Sequence, residues 1–138
     1  MHTAVSPILL VEDDEVDAMT VQRALRTIEV DNPLVHAEHG EAALAYLAAP
    51  DNPPPCIILL DLNMPVMNGL EFLRHVKLHP HLRRIPVVVL TTSEESQDRD
   101  ASFDLGAAGF LPKCQEYGRF IDIMRTWDQY WTCSDLPV

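Results

Sequence analysis

Basic residues are scarce in this chain of 138 residues, which has 10 lysines and arginines against 21 aspartates and glutamates. The formal net charge at pH 7 is therefore −11. Surfaces that bind nucleic acid or anionic lipid carry an excess of basic residues, because the phosphate groups must be neutralised. The composition thus argues against a nucleic-acid partner and against binding to a membrane.

Long apolar runs are missing as well. Runs such as residues 57–60 and 87–90 are far shorter than the roughly 20 apolar residues that a membrane-spanning helix needs. The first four residues, Met-His-Thr-Ala, lack the basic and then apolar pattern of a secretory signal. The expected location is therefore the cytoplasm.

Paired cysteines are absent too. The three cysteines, Cys56, Cys114 and Cys133, are odd in number and form no C-x-x-C motif. We therefore expect neither a disulfide framework nor a structural zinc site, and interpret the cysteines as reduced thiols.

Apolar runs do alternate regularly with segments of helical periodicity along the whole chain. The runs predict five strands, at residues 8–11, 34–38, 56–60, 87–90 and 109–112. A helix is predicted after each strand, and the last one covers about residues 116–131. Five such units predict an α/β fold, a doubly wound parallel (βα)5 sheet. We expect residues 1–138 to form one domain, with a core over about residues 6–131 and no effector domain.

Pro112 lies within the last predicted strand. Proline cannot donate a hydrogen bond to a neighbouring strand, so within sheets it is found on edge strands. An edge position for the fifth strand fits the strand order 2-1-3-4-5.

Chemically active side chains follow four of the five predicted strands. Glu12 and Asp13 come after the first strand, Asp61 after the third, Thr91 after the fourth and Lys113 after the fifth. In an open parallel sheet, ligands bind at the carboxyl ends of the strands. Converging carboxylates need a counter-ion, and their oxygen atoms suit Mg²⁺. A carboxylate nucleophile, a divalent cation, and cationic and hydroxyl donors together suit phosphoryl transfer.

Four segments resemble the signature motifs of response-regulator receiver domains. They are Ile-Leu-Leu-Val-Glu-Asp-Asp at residues 8–14, Leu-Leu-Asp-Leu-Asn-Met-Pro-Val-Met-Asn-Gly at 59–69, Pro-Val-Val-Val-Leu-Thr at 86–91 and Gly-Ala-Ala-Gly-Phe-Leu-Pro-Lys at 106–113. The resemblance covers nearly the whole chain and implies a flavodoxin-like fold. It also implies a two-component response regulator that is phosphorylated by a histidine kinase and signals through a conformational change.

The same resemblance implies the roles of the acidic residues. Asp61 would accept the phosphoryl group. Glu12, Asp13, Asp61 and the backbone carbonyl of Asn63 would bind Mg²⁺. The protein would promote only its own phosphorylation and dephosphorylation, and would not be an enzyme for other substrates.

Residues of the last two strands have implied roles as well. Thr91 and Lys113 would bind the phosphoryl oxygens, and Phe110 would be the aromatic switch residue that moves inward with Thr91. One position departs from the family pattern, because Cys114 follows Lys113 where receivers usually have a proline, commonly in a cis peptide. A trans peptide is expected here, since a non-proline cis bond costs about 3–4 kcal/mol.

A finer resemblance concerns the kinase. The segments Asp-Leu-Asn-Met-Pro at residues 61–65 and Arg-Ile-Pro-Val-Val-Val-Leu-Thr-Thr-Ser at 84–93, and the tryptophan-rich end before residues 136–137, are similar to stand-alone receivers paired with phytochrome-type kinases. The resemblance implies that the protein acts downstream of such a photoreceptor kinase.

Two other functions fit parts of the pattern. A Mg²⁺-dependent phosphatase of the haloacid-dehalogenase class also uses an aspartyl nucleophile, but places it after its first strand with a second aspartate two residues later. Here Asp61 follows the third strand and Asn63 cannot shuttle a proton. A constitutive interaction module without phosphorylation is the second alternative, although the full set of site residues argues against it.

The last predicted helix has more apolar side chains than one sheet face needs. One stripe contains Phe120, Met124, Trp127 and Trp131, with Ile123 and Tyr130 beside it. Exposed aromatic residues favour a protein partner. Since the fifth strand is a predicted edge, we expect a homodimer through the fourth helix, the fifth strand and the fifth helix.

Overall fold

A computed structural model of the chain describes the backbone of residues 6–62, 64, 67–91, 96–113 and 117–133. The side chains of these residues are described as well, except those of residues 96, 112, 117 and 127–133. Strands and helices alternate in the order β1 (Ile8–Val11), α1 (Glu15–Thr27), β2 (Leu34–Ala37), α2 (Gly40–Ala48), β3 (Ile57–Leu60), α3 (Gly69–Leu78), β4 (Val87–Thr91), α4 (Ser96–Asp104), β5 (Gly109–Pro112) and α5 (Tyr117–Cys133). A short 3₁₀ helix, Leu82–Arg84, precedes β4.

The five strands form one sheet in the order β2-β1-β3-β4-β5, with every pair parallel. The predicted (βα)5 fold and strand order are confirmed. β5 lies at one edge of the sheet, as Pro112 predicted. Because all strands run in the same direction, their carboxyl ends meet along one side of the molecule and position the candidate site there.

Three strand boundaries differ by one residue from the prediction. β2 ends at Ala37, β3 begins at Ile57 and β4 extends to Thr91. Thr91 belongs to the sheet because it lies in register with Pro112 of β5. This extra residue brings the end of β4 level with the end of β5.

The 3₁₀ helix was not predicted by the apolar pattern. The Nδ1 atom of His79 accepts hydrogen bonds from the backbone N–H groups of His81 and Leu82, at 3.1 and 3.2 Å. The Nζ atom of Lys77 donates to the carbonyl oxygens of Arg83 and Ile85, each at 3.0 Å. These contacts depend on side-chain positions that periodicity does not encode.

The core lies on both faces of the sheet. On one face, α1 and α5 contribute Val21 and Met124 to a buried cluster with the strands. On the other face, α2 and α3 contribute Ala43 and Phe72 to a second buried cluster. Every residue of β1, β3 and β4 is buried, which explains why these strands are continuous apolar runs.

The start of α1 is fixed by a side-chain cap. The carboxylate of Asp14 accepts a hydrogen bond from the backbone N–H of Asp17 at 3.0 Å, which satisfies one of the free donors of the first turn. This cap sets the direction in which α1 leaves the end of β1. Within the described ranges of the chain, no helix combines the length and apolar character needed to cross a membrane.

Candidate functional site

Three carboxylates come together at the carboxyl end of the sheet. Oxygen atoms of Glu12, Asp13 and Asp61 all lie within 4.8 Å of one another. Glu12 and Asp61 are buried, with 1% and 5% of their surface exposed, whereas Asp13 is exposed. The structure thus brings together three residues that the sequence predicted to converge.

Backbone hydrogen bonds to neighbouring strands hold the two buried acids. The N–H of Asp61 donates to the carbonyl oxygen of Val11 at the end of β1, at 3.0 Å. The N–H of Glu12 donates to the carbonyl oxygen of Ala37 at the end of β2, also at 3.0 Å. The acids therefore stay close because the strands that precede them are hydrogen-bonded.

Lys113 lies among the carboxylates. Its Nζ atom donates to Oε1 of Glu12, lies 2.9 Å from Oδ2 of Asp17 and lies 3.4 Å from Oδ1 of Asp61. Only 12% of the Lys113 side chain is exposed. The lysine is placed by β5, and its backbone N–H donates to the carbonyl oxygen of Thr91 at 2.8 Å.

Burial and neighbouring charges shift the pKa values of the central pair. The pKa of Glu12 is raised to about 8, mainly by burial, with Lys113 opposing the rise and Asp61 adding to it. For Lys113, burial lowers the pKa, but hydrogen bonds to Glu12 and Asp17 and the charge of Asp61 outweigh burial, so the pKa rises above its ordinary value. Lys113 is therefore a permanent cation in the site, and the buried acids carry an energetic cost when both are ionised.

The acidic cluster fits a divalent cation. All three residues offer carboxylate oxygens, the ligand type that hard cations such as Mg²⁺ and Mn²⁺ prefer. One of them, Asp13, is exposed, so the cluster is open to solvent on that side. Asn63, whose carbonyl was predicted as a further ligand, lies outside the described residues.

Thr91 and Phe110 occupy the predicted strands. Thr91 is the last residue of β4, next to the strand that leads to Asp61, and is fully buried. Phe110 is half-buried in β5, in register with Val89, and packs against the core cluster on the side of α2 and α3. Cys114 lies outside the described residues, and so does its peptide bond with Lys113.

Two residues near the site were missed by the sequence reasoning. Asp17 forms an ion pair with Lys113, and Nε2 of His36 lies 2.7 Å from the backbone carbonyl oxygen of Glu12. An acidic residue in the first turn of a helix usually complements the helix dipole, so Asp17 gave no distinct signal.

Comparison with known proteins identifies relatives along most of the chain. A family model described as the response regulator receiver domain matches residues 8–125. The response regulator Rcp1 of Synechocystis is 39% identical over 128 residues, which cover 90% of this chain and 87% of Rcp1.

Solved structures share the fold. The phosphorylated cyanobacterial phytochrome response regulator RcpA is 35% identical, with a TM-score of 0.87 over 98% of this chain and 100% of that chain. The Mn²⁺-bound form of Rcp1 is 38% identical, with a TM-score of 0.87 over 96% of this chain and 99% of that chain. The flavodoxin-like fold predicted from the sequence is therefore shared with response regulators.

Proposed function

Since the chain belongs to the response regulator receiver family, we propose that this two-component response regulator accepts a phosphoryl group on Asp61 from a partner histidine kinase. The observation that carries the proposal is the position of the Asp61 carboxylate. Its Oδ1 atom lies 3.4 Å from Nζ of Lys113, and one of its oxygens lies within 4.8 Å of those of Glu12 and Asp13. The acceptor thus lies close to both a cationic side chain and a candidate metal site.

In the proposed transfer, a carboxylate oxygen of Asp61 attacks the phosphorus atom of a phosphohistidine on the kinase. A P–O bond forms to Asp61 and the P–N bond breaks, with its electron pair staying on the histidine nitrogen. The leaving group is neutral imidazole when its other nitrogen carries a proton. Lys113, which stays protonated beside Asp61, stabilises the negative charge of the transferred group.

We assign Mg²⁺ as the cofactor, held by Glu12, Asp13 and Asp61, with the carbonyl of Asn63 as a further ligand. When bound, such a cation neutralises charge on the acceptor and on the phosphoryl oxygens. The oxygen-only donor set and the Mn²⁺-bound form of the relative Rcp1 support this assignment. The chain's own part is to hold the three carboxylates within one small cluster.

Thr91 and Lys113 would bind the phosphoryl oxygens, and Phe110 would respond to a movement of Thr91. Their places at the ends of β4 and β5 support these roles, because β4 pairs with β3, the strand that leads to Asp61, and β5 pairs with β4. Phe110 is half-buried and can therefore change its exposure without leaving the core.

The experiment for the acceptor uses acetyl phosphate and Mg²⁺ with purified protein. The wild type should gain one base-labile phosphoryl group by intact mass, and Asp61→Asn should gain none. Asp51→Asn, at an exposed aspartate in the loop before β3, is the matched control and should be labelled like the wild type. Equal labelling of Asp61→Asn would refute the assignment.

A phytochrome-type kinase is the proposed donor, and the cytoplasm is the proposed location. The similarity to RcpA, a cyanobacterial phytochrome response regulator, supports this choice of kinase. A phosphorylated phytochrome-type kinase should transfer its phosphoryl group to this protein faster than a kinase of an unrelated pathway. Equal rates of phosphotransfer from the two kinases would refute the proposal that the donor is a phytochrome-type kinase.

The two alternative functions have less support. A haloacid-dehalogenase phosphatase needs its nucleophile after the first strand, whereas Asp61 follows β3. A module without phosphorylation would have no need for a buried carboxylate beside a buried lysine, which is costly to maintain. We therefore propose that the only chemistry is self-phosphorylation and self-dephosphorylation, with output through protein interaction.

We also propose a homodimer through α4, β5 and α5. Support comes from the edge position of β5 and from Phe103 of α4, which is 47% exposed. The predicted contacts at Trp127, Tyr130 and Trp131 lie outside the described side chains, and Ile123 is half-buried.

In sedimentation, Trp127→Ala/Tyr130→Ala should dissociate the dimer, whereas Val16→Ala/Met19→Ala on α1 should not. A wild type that is monomeric at micromolar concentration, with and without phosphorylation, would contradict the proposal.

A further inference from the structure

The ammonium group of Lys113 contacts three carboxylates, those of Glu12, Asp17 and Asp61, which differ in burial and position. Glu12 and Asp61 are buried members of the acidic cluster. Asp17 is outside that cluster, comes from α1, and has 40% of its side chain exposed. Asp17 can therefore remain paired with Lys113 when Glu12 and Asp61 bind a cation.

Packing alone does not fix the position of the Lys113 side chain. A cavity of about 50 Å³ lies beside the ion pair and is lined by Asp17, Thr20, Val21, Lys113 and Phe120. A lysine stem next to such a cavity has room to shift, so the ion pairs determine where its ammonium lies. Glu12 makes the shortest contact with the ammonium, and the Asp17 oxygen at 2.9 Å is closer to it than the Asp61 oxygen at 3.4 Å.

We propose that Asp17 is a positioning residue that draws the Lys113 ammonium toward α1 and away from Asp61, and so leaves the Asp61 carboxylate available to a divalent cation. The inference rests on the phosphoryl-accepting function and metal site proposed above. Without Asp17, the ammonium is held by Glu12 and Asp61 alone and competes with the cation for the Asp61 carboxylate. Asp17 thereby sets the metal affinity without being a metal ligand.

The first test measures the affinity for Mg²⁺ by calorimetry, with no phosphodonor present. Asp17→Asn keeps the size of the side chain but removes its charge, and should weaken Mg²⁺ binding by about three- to tenfold. Glu15→Gln is the matched control, because it removes one negative charge from an exposed residue in the same helical turn. It should leave the affinity within about twofold of the wild type. Equal affinities for Asp17→Asn and the wild type would overturn the inference.

A double-mutant cycle separates positioning from a plain charge effect. In a Lys113→Met background there is no ammonium to draw away, so adding Asp17→Asn should change the Mg²⁺ affinity by less than about twofold. A loss of Mg²⁺ affinity as large as in the wild-type background would show that the charge of Asp17 acts on the cation directly and not through Lys113, which would overturn the inference. Asp17→Glu restores the charge and should recover part of the affinity lost in Asp17→Asn.

The outcome is distinguishable from a failure of the proposed function. If wild-type protein binds Mg²⁺ but takes no phosphoryl group on Asp61, the function is wrong, whatever the Asp17 variants show. If labelling of Asp61 succeeds and Asp17→Asn binds Mg²⁺ like Glu15→Gln, only the role of Asp17 is wrong. Thermal unfolding of each variant verifies that the compared proteins are folded.

Discussion

The imidazole Nε2 atom of His36 lies 2.7 Å from the backbone carbonyl oxygen of Glu12. A carbonyl oxygen can only accept, so the histidine donates the hydrogen bond. The N–H of Glu12 donates in turn to the carbonyl oxygen of Ala37, at 3.0 Å. β2 therefore holds Glu12 through both of its backbone polar groups and fixes the turn that carries the acidic pair.

Replacing His36 by leucine should weaken both the fold and the metal site. The change leaves the Glu12 carbonyl without its donor, which should lower the free energy of unfolding by about 1–3 kcal/mol. The turn becomes less fixed, so Mg²⁺ affinity should fall as well. Chemical denaturation and calorimetry measure the two effects. His75→Leu, at an exposed histidine of α3, is the control, and equal behaviour of the two variants would show that the contact is unimportant.

Replacing Asp13 by alanine should weaken metal binding without harming the fold. Asp13 is exposed and lies within 4.8 Å of the carboxyl groups of Glu12 and Asp61, so its loss removes a negative charge from a crowded acidic cluster in the metal-free protein. Mg²⁺ affinity should fall by more than about tenfold, since even outer-shell partners of a metal have effects of that size. Asp31→Ala removes the same charge from an exposed residue between α1 and β2 and should bind normally. Full affinity in Asp13→Ala would mean that the metal site is elsewhere.

Gly69 should tolerate no side chain. A Cβ atom at this position would lie 2.5 Å from both the carbonyl oxygen of Asp61 and the Cα atom of Leu62. Gly69→Ala must therefore displace the backbone of the acceptor, with a loss of about 1–3 kcal/mol in the free energy of unfolding and slower phosphorylation. Gly118→Ala in α5 meets no atom within 4 Å and should stabilise the protein by about 0.5–1 kcal/mol. Normal stability and labelling in Gly69→Ala would contradict this packing.

The raised pKa of Glu12 predicts a pH dependence of stability in chelator-treated protein. Its folded-state pKa of about 8 exceeds the ordinary value of 4.5, mainly because of burial. A carboxyl group with a raised pKa contributes stability that is fully present below about pH 4.5 and lost as the pH rises through about 8. The free energy of unfolding of Glu12→Gln, measured relative to that of the wild type, should therefore increase between pH 5 and pH 8. A constant difference across this range would show that Glu12 is ionised throughout.

The apolar pattern predicted the fold because buried parallel strands are continuous apolar runs, as in Ile57–Leu60. It also predicted Glu12, Asp61, Thr91 and Lys113, since residues that follow parallel strands must meet at one side of the sheet. Pro112 supplied the edge of the sheet for a separate reason, its missing donor.

The contacts that the sequence did not predict depend on how a helix is rotated about its axis and on how neighbouring strands are paired. Asp17 meets Lys113 only because α1 turns that face toward β5, across a sequence separation of 96 residues. His36 meets Glu12 because β2 pairs with β1 in one particular register, Leu10 beside His36. A shift of that register by one residue would direct His36 to the other face of the sheet.

The central claim, that Asp61 itself carries the phosphoryl group, is tested most directly by reductive trapping. Borohydride reduces an acyl phosphate on aspartate to homoserine, so the modified residue keeps its place in the sequence and can be read by tandem mass spectrometry. After incubation with acetyl phosphate and Mg²⁺, homoserine should be found at position 61 and at no other aspartate. Homoserine at position 13, or none at position 61 in protein that has gained a phosphoryl group, would contradict the account.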